Sequence, residues 1–181
     1  MFILNYQKPE ENQEQAVAEV YKVFTQKRIP VPAPLQLIST SPGLLQRFFS
    51  QINYFMHHEK LSFPLLAAIR FLAAQEVCFE HCTTLNRTWL SKTGLSEQDL
   101  SDLAAGREVE ALTEAENALL QTVVRVLRRQ RIPEQEVQQL RNFGWKDSDI
   151  LDACAQGTNM LGLSCLFEAF SRQDNADSPL D

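Results

Sequence analysis

Apolar residues recur along this chain at three- and four-residue intervals, the spacing of helices that turn one face inward. No segment alternates apolar and polar side chains over more than about five residues, so strand signals are almost absent. Ala16, Val20, Val23 and Phe24 form a first stripe. It is expected to end before Ile29-Pro-Val-Pro-Ala-Pro34, an extended connector in which each proline biases its predecessor away from the helical region. A second helix is expected from Ser41-Pro42, with Leu44, Leu45, Phe48, Phe49, Ile52 and Phe55 on its inner side. A third begins near Ser62-Phe-Pro64 and runs through Leu65, Leu66, Ile69, Leu72 and Ala73. It is expected to continue, with a kink, into the stretch from Cys78 to Leu90.

Stop and start signals partition the rest. Gly94 suits the left-handed position that ends a helix. Ser96 with Asp99, and Thr113 with Glu116, are helix caps with acids in the first turn. Pro133 opens a further helix that Gly144 closes, and Asp147 or Ser148 begins a long last one. The expected fold is an all-α bundle of six to eight helices in a single domain over residues 1–172, followed by a flexible polar tail over 173–181. From Met160 to Phe170 the last helix is apolar on more than one side, which predicts contact with another subunit.

The 181 residues include 44% hydrophobic and 22% charged side chains, ordinary for a globular protein and too apolar for a disordered one. A net charge of −6 argues against general affinity for nucleic acid or anionic membrane. Arg125, Arg128, Arg129 and Arg131 are read as a solvated helix end rather than as a phosphate site. The start of the chain lacks the apolar tract of a signal peptide, and a cytoplasmic protein is expected.

Candidate chemistry gathers in Glu76-Val-Cys78-Phe-Glu-His81-Cys82-Thr-Thr-Leu-Asn86. On one helix Cys78, His81 and Cys82 would share a face. Three readings fit: a reactive thiol that His81 helps to ionise, a zinc or copper site with an incomplete ligand set for which His57-His58 could supply a fourth ligand, or two buried inert thiols. A Cys78–Cys82 disulfide would need local unwinding, because i and i+4 β-carbons on a helix stand farther apart than the ~3.8 Å a disulfide prefers. Cys154 and Cys165, in apolar helical surroundings, are expected to be buried and inert.

Ser41-Pro-Gly-Leu-Leu45, the helix into Cys82, Leu90-Ser-Lys-Thr-Gly94-Leu-Ser96, Leu112-Thr-Glu-Ala-Glu116 and the run from Asn142 to Asp152 together resemble the alkylhydroperoxidase D/carboxymuconolactone decarboxylase-like superfamily. The resemblance spans about residues 17–172. In the hydroperoxidases of that family a glutamate and a histidine relay the proton. The second cysteine of a Cys-x-x-Cys pair attacks peroxide, and the first resolves the sulfenic acid. The resemblance places Cys82 at the attacking position, with His81 beside it. The first cysteine falls on Phe79, the relay histidine on Asn86 and the glutamate on Ala67, so Cys78 could resolve only through a local bulge.

The resemblance therefore implies a diverged thiol-dependent hydroperoxidase-like antioxidant protein whose site residues are Cys82, His81 and Cys78. The alternative is a non-catalytic oligomeric scaffold or binding member that has lost the relay. No cofactor or metal is implied. The expected partners are a small hydroperoxide, a thiol reductant and further copies of the chain in a dimer, trimer or hexamer, with neither nucleic acid nor membrane.

Overall fold

The structure is a computed structural model that describes residues 2–4, 11–26, 28, 31, 33–77 and 80–171. Among them are nine helices and one isolated antiparallel bridge, between Phe2 and Ser171. The chain divides into two compact units, residues 57–165 and residues 1–56 together with 166–181. The polar tail over 173–181 lies outside the described residues.

The smaller unit contains α1 (Glu11–Gln26), α2 (Ala33–Ile38) and α3 (Pro42–Met56). Val17 and Val20 of α1, Leu35, Leu37 and Ile38 of α2, and Leu45 and Phe55 of α3 are buried. The helix α2 is one more than the sequence led us to expect, and it starts inside the proline connector. Pro34 is its second residue, a position where the missing N–H has no intrahelical partner to lose. Tyr21 and Ser39 share a hydrogen bond of 2.6 Å. Leu44, expected on the inner side of α3, is exposed instead.

The larger unit is built around α4 (Phe63–Glu76), buried at every residue from Leu65 to Ala74 except Arg70. Its start follows from local chemistry: the Ser62 hydroxyl accepts from the Leu65 N–H, and Pro64 occupies the first turn. Against it pack α5 (Glu80–Lys92), α6 (Glu97–Ala104) and α7 (Glu114–Leu127). Helix α8 (Glu134–Asn142) and the part of α9 (Asp147–Phe170) up to Cys165 complete the unit.

The caps read from the sequence are present. Ser96 with Asp99, and Thr113 with Glu116, form reciprocal capping boxes. Gly94 takes a φ of +107° as the chain leaves α5. After α7 the equivalent left-handed place is held by Arg129, at φ +59°. Gly157 lets α9 approach closely, since a β-carbon there would stand 3.0 Å from Val123 Cγ1 and 3.5 Å from Ile69 Cγ2. Among the described residues no helix is long and apolar enough to cross a membrane.

Candidate functional site

The helical run expected from Ser62 to Leu90 is interrupted. Helix α4 ends at Glu76 with Val77 as its cap, and α5 opens at Glu80. Cys78 and Phe79 lie outside the described residues, and for His81 only the backbone of α5 is described. What the structure does bring together is a second set of groups, on the facing stripes of α4 and α5. Phe63 and Arg70 stand two turns apart on α4, while Cys82, Asn86 and Trp89 follow one another along α5 at i, i+4 and i+7.

Cys82 is 5% exposed and Asn86 2%. The Asn86 amide nitrogen donates to the Cys82 carbonyl at 2.8 Å, and its amide oxygen accepts from Arg70 Nε at 3.1 Å. Asn86, which occupies the position the resemblance gives to a relay histidine, therefore holds two elements in register and titrates nothing. Ala67, at the position of the glutamate, is fully buried and offers no carboxylate.

The guanidinium of Arg70 lies 5.7 Å from the ring centre of Phe63 and 5.4 Å from that of Trp89, within cation–π range of both. The two rings are themselves 5.7 Å apart and tilted by 60°. Burial pulls the Arg70 pKa down to about 10, with Cys82 acting in the opposite direction, so the group remains a cation at neutral pH. Burial likewise pushes the Cys82 thiol up to about 11, and the positive charge of Arg70 offsets only part of that rise. The resting sulfur is a thiol.

Arg70 escaped the sequence reading. The signal was available: it is the only charged residue between Lys60 and Glu76, set in the middle of an otherwise apolar helix.

The remaining candidates are accounted for separately. His58 Nδ1 accepts from the backbone N–H groups of Lys60 and Leu61 at 3.1 and 2.9 Å, and its Nε2 lies 3.3 Å from Asp152 Oδ2. With Nδ1 accepting, Nε2 is the nitrogen left to donate to Asp152, so both ring nitrogens are engaged within the protein. Among the described residues no cluster of three histidines, cysteines or acids could hold an ion. Of the two cysteines expected to be buried, Cys165 is exposed and Cys154 is half-buried, because α9 turns more than one apolar face outward. Arg125 pairs with Glu136 at 3.0 Å and Arg128 with Glu76 at 2.8 Å, as a solvated helix end would.

No family model and no curated protein matches the chain. Among solved structures, the chain is similar to an uncharacterized peroxidase-related protein from Silicibacter sp. TM1040, with a TM-score of 0.74 and 18% identity, covering 97% of this chain and 93% of that one. The likeness establishes the fold: the all-α class read from the hydrophobic pattern, in the arrangement of a peroxidase-related protein.

Proposed function

We propose that this chain is a diverged member of the alkylhydroperoxidase D/carboxymuconolactone decarboxylase-like superfamily in which Cys82 reacts slowly with hydroperoxides. The observation that carries the reading is that Asn86 ties Arg70 of α4 to the Cys82 backbone of α5, which brings the guanidinium charge to bear on the Cys82 thiol. A cation next to a sulfur favours the thiolate, which is the nucleophile.

The first step forms an S–O bond and breaks the O–O bond of the hydroperoxide. Two electrons pass from sulfur to oxygen, and the departing alkoxide takes up the proton that the thiol has lost. The products are a Cys82 sulfenic acid and an alcohol. A thiol reductant then displaces water from the sulfenic acid to give a mixed disulfide, and a second thiol releases Cys82. With the thiol at about 11, roughly one molecule in ten thousand carries the thiolate at neutral pH. Neither Ala67 nor Asn86 can serve as a base, a loss typically worth ~10²–10⁴ in rate. His81, one residue before Cys82 on α5, is the candidate base, and Cys78 the candidate resolving thiol.

A second reading, a non-catalytic scaffold or binding member of the same family, draws on the near-complete burial of Cys82. Both readings include a cytoplasmic homo-oligomer, supported by the exposed Leu151 and Leu166 on α9 and tested by native mass measurement.

Peroxide consumption with dithiothreitol as reductant, followed by mass spectrometry, separates the two. The hydroperoxidase reading expects one oxygen added at Cys82, loss of consumption in Cys82→Ser, and altered recycling alone in Cys78→Ser. Equal residual consumption in both variants would leave the scaffold.

A further inference from the structure

We infer that Arg70, packed against Phe63 and Trp89, recognises a carboxylate carried on an apolar body, so that the substrates of the Cys82 site are acidic hydroperoxides. Of the other arginines in the same unit, Arg129 and Arg131 are exposed, and five meet acids: Arg87 pairs with Glu97, Arg107 with Asp102, Arg125 with Glu136, Arg128 with Glu76 and Arg141 with Asp147. Arg70 does not. It is more buried than any of these, yet among the described residues no carboxylate lies within ion-pair distance of it. A half-buried cation with no carboxylate beside it has lost part of its solvation, and a bound anion would restore what water no longer supplies.

The guanidinium is also oriented. Its Nε is committed to Asn86, which is fixed in turn by the Cys82 carbonyl, and among the described residues its two terminal nitrogens donate to no acceptor. A planar fork held at one nitrogen and free at the others suits a carboxylate. The two rings, in contact with each other and both against the guanidinium, supply the apolar contact. Phe63 is 51% exposed and leaves apolar surface beside Arg70 that a ligand's hydrocarbon part would cover. Cys82 lies on the inner side of the same constellation. That the carboxylate belongs to a substrate rests on the hydroperoxidase reading, whereas its binding does not.

Isothermal titration of the full chain with 3-phenylpropanoate and with the matching alcohol, 3-phenylpropan-1-ol, tests the inference. The acid is expected to bind at one site per chain, about tenfold or more tighter than the alcohol, and to weaken as salt is raised. Arg70→Met should abolish the preference for the acid, and Arg70→Lys should keep a reduced preference, because an ammonium lacks the fork. Equal affinity for acid and alcohol in the unaltered chain, or no binding of either, overturns the inference whether or not the variants fold. So does an undiminished preference in a folded Arg70→Met. Hydroperoxide consumption is assayed separately on the same sample. Acid binding without consumption removes the peroxidase reading and keeps the carboxylate site, while consumption without acid binding does the reverse.

Discussion

Two thiols in this protein, Cys82 on α5 and Cys154 on α9, are both lifted from 9.0 to about 11, and in both burial is the main cause. The charges beside them have opposite signs. Arg70 opposes the rise at Cys82, whereas the carboxylate of Glu136 adds to it at Cys154. Burial is a property of packing and is relieved whenever the surroundings open, but the sign of a neighbouring charge persists through such motion. A fluctuation that admits water to Cys82 exposes a thiol beside a cation. The same event at Cys154 exposes one beside an anion. Equal resting pKa values thus conceal unequal surroundings, and of these two thiols Cys82 is the one whose neighbouring charge favours the thiolate.

The sharpest way to break this comparison is a pH series of alkylation rates in a Cys165→Ser chain, where the exposed competitor is gone. Both thiols should gain about tenfold per pH unit up to about 11, roughly a thousandfold between neutral pH and three units above it. A plateau near 9 at Cys82 would mean that Arg70 cancels the effect of burial. The fold holds both groups neutral, so it releases their protons later than the unfolded chain does. This contribution to stability is complete below pH 9, declines as pH rises and is gone above about 11, which denaturant midpoints across that window will register.

Replacing the cation comes next in size. Arg70→Met should slow alkylation of Cys82 by about tenfold at fixed pH and leave Cys154 unchanged. The burial half of the comparison is probed through Gly157, three residues after Cys154. In Gly157→Ala the new methyl meets the rigid side chain of Val123, and a loss of ~1–2 kcal/mol is expected as a lower melting temperature. Gly162→Ala, with open space around it, should gain ~0.5–1 kcal/mol. The smallest effect is reserved for Glu136→Gln. It keeps an acceptor for the Thr122 hydroxyl, removes the charge beside Cys154, and should speed alkylation there by about two- to threefold.

Much of the fold was legible because helix ends are decided locally. Ser62, Ser96, Thr113, Gly94 and Gly144 act on backbone groups a few residues away, and each stands where its chemistry requires. The helix α2 was hidden because the prolines around it argue for extended chain, and only the burial of Leu35, Leu37 and Ile38 against neighbouring helices decides otherwise. The site was legible by half. Cys82 and Asn86 could be placed by spacing along one helix, but the partner of both comes from α4, sixteen residues upstream of Asn86, and no periodicity reports which residue of one helix meets which residue of another. Arg129 shows the same limit in miniature. A left-handed backbone position usually signals glycine, and nothing in the sequence there announces it.

The amide of Asn86 has one more consequence. A histidine at that place would make the net charge of this cluster depend on acidity within the range cells experience. An asparagine between an arginine at about 10 and a thiol at about 11 leaves those three groups with a single positive charge through the whole of that range. Those three groups themselves then add no dependence on acidification to the attraction of an anion to that spot.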